Sequence, residues 1–422
     1  MEINITQRCR TLLLLILAAL FAAGCASKAT NVPEASAAAA ANSPDIRVCL
    51  DDGVQDATLS FNGDYHFQTE EARYGLNNSI DELQVMSQDG NLVIKNSKRF
   101  FQLSPPQTLR FIPKNSKSSF IWNKIAYNGE LTLHFENDQL LAVNKLPLED
   151  YLAGVVANEI PFTQNEYEEA IIAQAIVSRS YALYRLDHPV NTLYDIHMDK
   201  PDQVYKGLEN NSSLSNKAVS GTQGVILARL NQPAEIKFHS TSGGVLEVDT
   251  PSDSTLGTPP DYSPDSVDGI DNDKDSPFYR WSENRNVDTI LNNLQRLFSL
   301  DPAMVQRWLE NGFLLDISIT SRKPSGRIEQ ATVTIDNRSF TLDTDEKICA
   351  AFADESGKPL PSTLFFIKQP PKDTEKFYIL GAGAGHGKGM SQWGAAGLAL
   401  KGYDHRYILG FYYPDLTITK YY

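Results

Sequence analysis

"LPLEDYLAGVVANEIP", residues 146 to 161, is where the texture of this 422-residue chain changes. Leu148, Tyr151, Leu152, Val155 and Val156 recur at helical spacing between Pro147 and Pro161. That is the pattern of a helix with one apolar face, bounded by residues that cannot continue it. A second helix is predicted over "EYEEAIIAQAIVSRSYALYRL", residues 166 to 186. Its acids stand in the first turn and its arginines toward the end, as the helix macrodipole favours.

Upstream, from Ile46 to about Lys145, the apolar residues alternate with period two in short runs such as "IRVCL", "ATLSF" and "NLVIKN". Asp89-Gly90 and Asn128-Gly129 fall between such runs and signal hairpins. Downstream, strands are expected at "GVILARL", "AEIKFHS", "LLDISITS" and "RIEQATVTI", the last two joined by a turn at Ser325-Gly326. Further helices are expected from Val287 to Phe298 and from Met390 to Leu400, the latter stopped by Gly402 as a C-cap. The expected class is α+β, with a mostly-β domain at residues 45–145 and a mixed helix and strand region at 146–422.

The N-terminus has the form of an export signal. Arg8 and Arg10 precede an apolar run from Leu12 to Ala23 that is short for a membrane span. Ala22-Ala23-Gly24-Cys25 then resembles the lipobox of bacterial lipoproteins, which makes residues 1–24 a cleaved signal and Cys25 the acylated anchor. Residues 25–44 are rich in Ala, Ser and Pro, too poor in large apolar groups to fold, and read as a tether. Removing residues 1–24 takes away one acid and two bases, so the net charge moves from -14 to -15. An acidic chain of this kind argues against nucleic acid as a partner. Cys49 and Cys349 remain, and their spacing leaves both a disulfide and two thiols open.

The polar stretches are weighed one by one. Glu159 ends the first predicted helix, next to apolar residues and Pro161, where partial desolvation suits a general acid. Spacing alone nevertheless favours an ordinary solvated glutamate at a helix end. Gln174 and Ser178 lie roughly on one stripe of the second helix, and Arg179 sits among Ile176, Val177 and Tyr181. By itself this arginine reads as structural. "FHSTSGG", residues 238–244, offers hydroxyls and backbone donors for a polar ligand. His239 beside Ser240 also suggests a serine hydrolase, but adjacency is not a triad.

"DGIDNDKDS", residues 268–276, approaches a calcium loop with Asp271, Asp273 and Asp275 but has Ser276 where glycine is required. A solvated acidic loop is the default. "GAGAGHGKGMSQWGAAG", residues 381–397, fits neither a dinucleotide loop, a P-loop nor a serine elbow. No histidine or cysteine spacing asks for a metal, and no cofactor is expected.

Four stretches in order resemble the stage II sporulation protein D / amidase enhancer family of bacterial cell-wall proteins. They are "LPLEDYLAGVVANEIP", "EEAIIAQAIVSRSYALYRL", "DQVYKG" followed by "FHSTSGG", and "GAGHGKGMSQWGAAGLALKGYDHRYILGFYYPD". The resemblance implies a lytic transglycosylase acting on peptidoglycan glycan strands stripped of stem peptides, with Glu159 as the single catalytic acid and base. It implies a substrate groove holding Gln174, Arg179, Gln203, His239, Ser240, Ser242, His386 and Gln392. His386 and Gln392 are then expected across the groove from Glu159, and the glycines of 381–397 are expected to let backbone approach a sugar chain. Lys388 and Leu246 depart from the family's usual residues. The alternative is a non-catalytic amidase enhancer that binds glycan and stimulates a peptidoglycan amidase. Location follows as the cell envelope, lipid-anchored, on the periplasmic face of an outer membrane where the organism has one.

Overall fold

The structure is a computed structural model that describes residues 43–69, 73–76, 80–98, 100–104, 107–199, 202–247, 272–368 and 376–422. Residues 1–42, which hold the expected signal, Cys25 and all but the end of the expected tether, lie outside these residues. Residues 43–422 form one compact unit of mixed strands and helices. The α+β reading holds.

The first half is built on two antiparallel-rich sheets. In one, Asp45–Val54, Gln139–Pro147, Glu130–Glu136, Gln107–Pro113, Tyr65–Gln68 and Arg73–Leu76 follow one another, and Ile196–His197 adds in parallel beside Asp45–Val54. The other runs through Ile125–Asn128, Ser119–Trp122, Asp56–Asn62, Ile80–Gln88, Asn91–Lys95 and Phe100–Leu103. Asp89-Gly90 makes its expected hairpin, with both residues at positive φ between Gln88 and Asn91. Asn128-Gly129 does not. Ile125–Asn128 pairs back onto Ser119–Trp122 through a turn at Asn123-Lys124, both at positive φ. The chain leaves Asn128 for the other sheet, so this Asx-Gly pair is a crossing between layers.

The quoted stretch forms helix α1, Leu148–Glu159. Leu148, Tyr151, Leu152, Val155 and Val156 are all fully buried, so the apolar spacing is the packed face. Ile160 is extended at φ -114° and ψ 116°, as a residue before proline prefers. Pro161 therefore stops the helix at Glu159. Helix α2, Glu168–Asp187, buries Ala170, Ile171, Ala173, Ile176, Val177 and much of the rest of its surface. Such a helix belongs in the middle of a core, and α2 packs on α1, on α3 (Ser213–Gly221), and on two late helices. These are α7, Gln392–Leu400, and α8, His405–Tyr412.

Between them come α4 (Val287–Phe298), α5 (Pro302–Asn311), α6 (Asp345–Ala351) and the strands Trp281–Asn286, Leu315–Arg322, Ile328–Ile335, Arg338–Leu342, Phe365–Lys368 and Lys376–Gly381. The hydrophobic residues divide accordingly. One cluster joins the early strands to α1, α2, α7 and α8, and a second is confined to residues 290–379. Tyr127 of the strands and Tyr151 of α1 both pack on Tyr205, and strands 45–147 and the helices share one core cluster. "AEIKFHS" departs from expectation: only Phe238–His239 is strand. Cys49 and Cys349 are not joined. Cys49 lies in the first sheet among Val143 and Tyr194, with burial pushing its thiol up to about 12, while Cys349 packs against the second cluster.

Arg179 braces the helical part. Its Nε and Nη2 donate to both oxygens of Glu149 at 2.8 Å each, Nη1 to Thr222 Oγ1 and the Val225 carbonyl, and Nη2 again to the Val219 carbonyl. All five guanidinium N–H groups are used. Arg179→Ala removes the cation paired with the Glu149 carboxylate and one donor each from the Val219 and Val225 carbonyls. The expected loss is about 3–5 kcal/mol of stability, measured by urea unfolding.

Candidate functional site

Glu159 is half-buried at the last position of α1. Its Oε1 accepts the Val204 N–H at 2.7 Å, and its Oε2 accepts Gln392 Nε2 at 3.2 Å. Burial raises its pKa above the ordinary 4.5, and the two hydrogen bonds pull partly the other way. The C-terminal end of α1 acts in the same direction as burial, because the negative pole of a helix disfavours a carboxylate. Among the described residues no second carboxylate figures in that shift.

Three separate segments set this geometry. Gly154, one turn earlier on α1, lets the loop 203–207 lie against the helix: a Cβ there would stand 2.4 Å from the Gly207 carbonyl. That close approach places Val204 at Glu159. Gln203, next in the loop, is fully buried, accepting the Tyr151 hydroxyl at 3.1 Å and donating to the Ser178 carbonyl. Gln392 arrives on the first turn of α7, whose N-cap Ser391 bonds the Gly394 N–H. Just before it, Met390–Ser391 pairs in parallel with Phe238–His239, and Thr241 bridges Ala384. "FHSTSGG" and the glycine-rich loop are thus one backbone-bonded layer.

The expectation that Gln392 meets Glu159 holds in a direct contact. His386 sits in the adjoining layer, its ring 5.6 Å from that of His239. His239 is buried, its Nδ1 donates to the Lys388 carbonyl at 3.0 Å, and its Nε2 has no partner among the described residues. Burial lowers the pKa of His239 to about 3 and of His386 to about 4, so both rings are neutral at physiological pH.

Four expected groove residues turn inward instead. Arg179 has no donor left. Gln174 is fully buried and bonds Ser178 Oγ at 3.0 Å. Gln203 acts through the Val204 loop it anchors. Ser242 is buried, donating to Asp273 Oδ2 at 2.7 Å. Ser240 remains half-exposed with its hydroxyl 3.3 Å from that of Thr241. With His239 bonded to Lys388 and Ser240 to Thr241, no serine–histidine pair forms. The acidic loop also reads differently: Asp271 lies outside the described residues, and Asp273 is not solvated but buried, accepting both Ser242 Oγ and the Gly243 N–H.

The glycines also have a different cause. A Cβ on Gly387, at φ 80°, would stand 2.2 Å from the Arg327 guanidinium. Arg327 is fully buried and donates to the carbonyls of Ser242 and Val245. It thereby ties the 290–379 cluster to this layer, and sequence reading missed it because no periodic pattern flags a single inward arginine.

The comparisons bear on what kind of protein this is. A family model described as Stage II sporulation protein matches residues 136–228, which hold α1, α2 and α3, and one described as a domain of unknown function matches 266–389. The chain is 29% identical to stage II sporulation protein D of Bacillus subtilis (strain 168), over 66% of this chain and 76% of that protein. It is 27% identical to the amidase enhancer of the same organism over 64% of this chain, spanning only 40% of that protein's length. With an uncharacterized protein of Brachyspira hyodysenteriae it shares 27% identity over 90% of this chain and 94% of that one. The chain thus carries a Stage II sporulation protein domain at residues 136–228 and is similar over about two thirds of its length to proteins named stage II sporulation protein D and amidase enhancer.

The two histidines set a pH response. Their folded-state pKa values are depressed, so the folded state binds fewer protons than the unfolded chain below the ordinary 6.5. Stability is then lost as pH falls from 6.5 toward 4. The melting temperature is expected to drop between pH 7 and pH 5, and to drop less in His386→Gln, by differential scanning calorimetry.

Proposed function

We propose that this chain is an exported, lipid-anchored lytic transglycosylase of the cell wall, cleaving peptidoglycan glycan strands with Glu159 as its acid and base. The observation that supports it is the pairing of a pKa-raised carboxyl with two fixed donors at the end of α1. A raised pKa favours the protonated carboxyl, the form a general acid needs. Glu159 protonates the glycosidic oxygen between N-acetylmuramic acid and N-acetylglucosamine, and the bond to muramic C1 breaks. The resulting carboxylate then takes the proton of the muramic C6 hydroxyl as that oxygen closes on C1. The products are a 1,6-anhydro end and a free sugar hydroxyl, with Glu159 reprotonated.

Paired-carboxylate glycosidases use a second acid to activate water or to attack. The intramolecular C6 oxygen removes that need. The Val204 N–H and the Gln392 amide stabilise the carboxylate between the two proton transfers. His386, Ser240 and Gln392 are the groove residues this reading retains. Cys25 is the anchor, and the location is the envelope.

Wild type incubated with amidase-treated glycan strands is expected to yield 1,6-anhydro ends by mass spectrometry, and Glu159→Gln at least about 100-fold fewer. Since the folded-state pKa of Glu159 is raised, its stabilising contribution is complete below the ordinary value and lost as pH rises through the raised one. At neutral pH the Gln variant should therefore melt no lower than wild type, separating chemistry from fold. Anhydro ends made equally by the variant refute the role of Glu159. None from wild type, with stimulation of a purified amidase, leaves the enhancer activity that the similarity to the amidase enhancer suggests.

Membrane fractionation checks the anchor: Cys25→Ser is expected to move the protein from the membrane pellet to the soluble fraction.

A further inference from the structure

Strands Trp281–Asn286, Lys376–Gly381 and Phe365–Lys368 form a three-stranded sheet in the segment matched to a domain of unknown function. One face follows ordinary alternation: Phe365, Phe377 and Ile379 are buried in the second core cluster. The opposite face carries the expected polar residues Ser282, Asn284, Lys368, Asn286 and Lys376, but three large apolar side chains stand among them. Phe366, Leu380 and Tyr378 stand outward at 70%, 62% and 47% exposure. Register makes them neighbours, with Leu380 directly between Phe366 and Ser282, and Tyr378 between Lys368 and Asn284. The Arg322 guanidinium lies 4.8 Å from the Phe366 ring centre. Large apolar side chains grouped on the outer face of a sheet suit a binding surface.

The group runs into a polar cleft. The next outward pair of the same face, Asn286 and Lys376, helps line an open cleft of about 400 Å³ with Asn284, Thr289, Arg285 and the loop Asp354–Ser356. Arg285 is buried and fixed in the wall by the Phe352 carbonyl at 2.7 Å and by Glu283 at 2.9 Å. Arg285 and Lys376 supply positive charge there, and Asp354 and Glu355 supply negative charge. A ligand bearing both carboxylates and an ammonium group would complement this lining.

We infer that this face is a second binding surface, for peptidoglycan that still carries its stem peptides. Pyranose rings lie by their C–H faces on Tyr378, Leu380 and Phe366, and Ser282 and Asn284 meet the sugar hydroxyls. The stem peptide, with its carboxylates and free amine, occupies the mixed-charge cleft. The assignment rests on the cell-wall reading above and adds to it a hold on uncut wall, from which a stripped strand is delivered to Glu159. The surface belongs to the 290–379 cluster, whereas Glu159 belongs to the cluster of α1 and α2.

The test uses full-length protein with Glu159→Gln, so that substrate is not consumed, and two insoluble ligands: purified peptide-bearing sacculi and the same sacculi stripped by an amidase. Lys376→Glu alone, and Tyr378→Ser with Leu380→Ser, change only exposed side chains, and melting curves check that both variants fold. Each is expected to weaken binding to peptide-bearing sacculi by about tenfold or more, leaving binding to stripped sacculi within about twofold. Either substitution placed in the active chain is expected to leave anhydro-end formation from soluble stripped strands unchanged.

Unchanged binding to peptide-bearing sacculi overturns the inference, as does an equal loss on both ligands. A shift from dimer to monomer in sedimentation with unchanged sacculus binding overturns it in favour of a second copy of this chain. If wild type makes no anhydro ends while the peptide-dependent difference persists, the catalytic reading fails and the surface stands.

Discussion

The guanidinium of Arg179 is the constraint from which the helical part is hung. A buried arginine is tolerable only if its charge is paired and every donor is met, and here α1, the end of α3 and the strand Val225–Arg229 each supply an acceptor. Satisfying one cation therefore fixes α1 relative to α2. Because α1 ends at Glu159, fixing that helix also fixes where the acid stands. Glu149 is further engaged by the Tyr422 hydroxyl and the Gly224 N–H, so the carboxylate near the start of α1 is held by more donors than the two that meet Glu159 at its end.

The legible parts of the sequence were those in which one local rule decides. The five apolar positions of 146–161 gave α1 because burial and helical period coincide, and Pro161 marked its end. Asp89-Gly90 specified its turn because two consecutive residues at positive φ need little else. Asn128-Gly129 carries the same signature and failed, since the partner of Ile125–Asn128 was chosen by pairing outside the local window. "AEIKFHS" failed for the opposite reason: its alternation buries Ala234 and Ile236 without a strand assigned there, and only Phe238–His239 pairs.

At the site, residue types were easier to find than directions. Gln392 was found as a partner of Glu159 through family resemblance, a contact no spacing rule could supply. Arg179, Gln174 and Ser242 were found as polar residues in telling places, yet they turn inward onto other groups of the protein: Glu149, Ser178 and Asp273. A sequence shows that a buried polar group needs partners, but not whether those partners are protein or ligand. The Val204 N–H was invisible for a simpler reason: a backbone donor has no letter. The glycines of 381–397 showed that something approaches closely, and at Gly387 it is Arg327 of the chain itself.

Glu159 and Gln392 are 233 residues apart. A contact of that sequence separation forms late, because the intervening chain must first be ordered before the two ends gain anything by meeting. During synthesis the residues of the acid-bearing helix are made well before its amide partner. The carboxyl acquires its second donor only when α7 docks, so maturation of the site reports completion of the fold, and a chain nicked between the two halves would keep the helix while losing the poise of its acid.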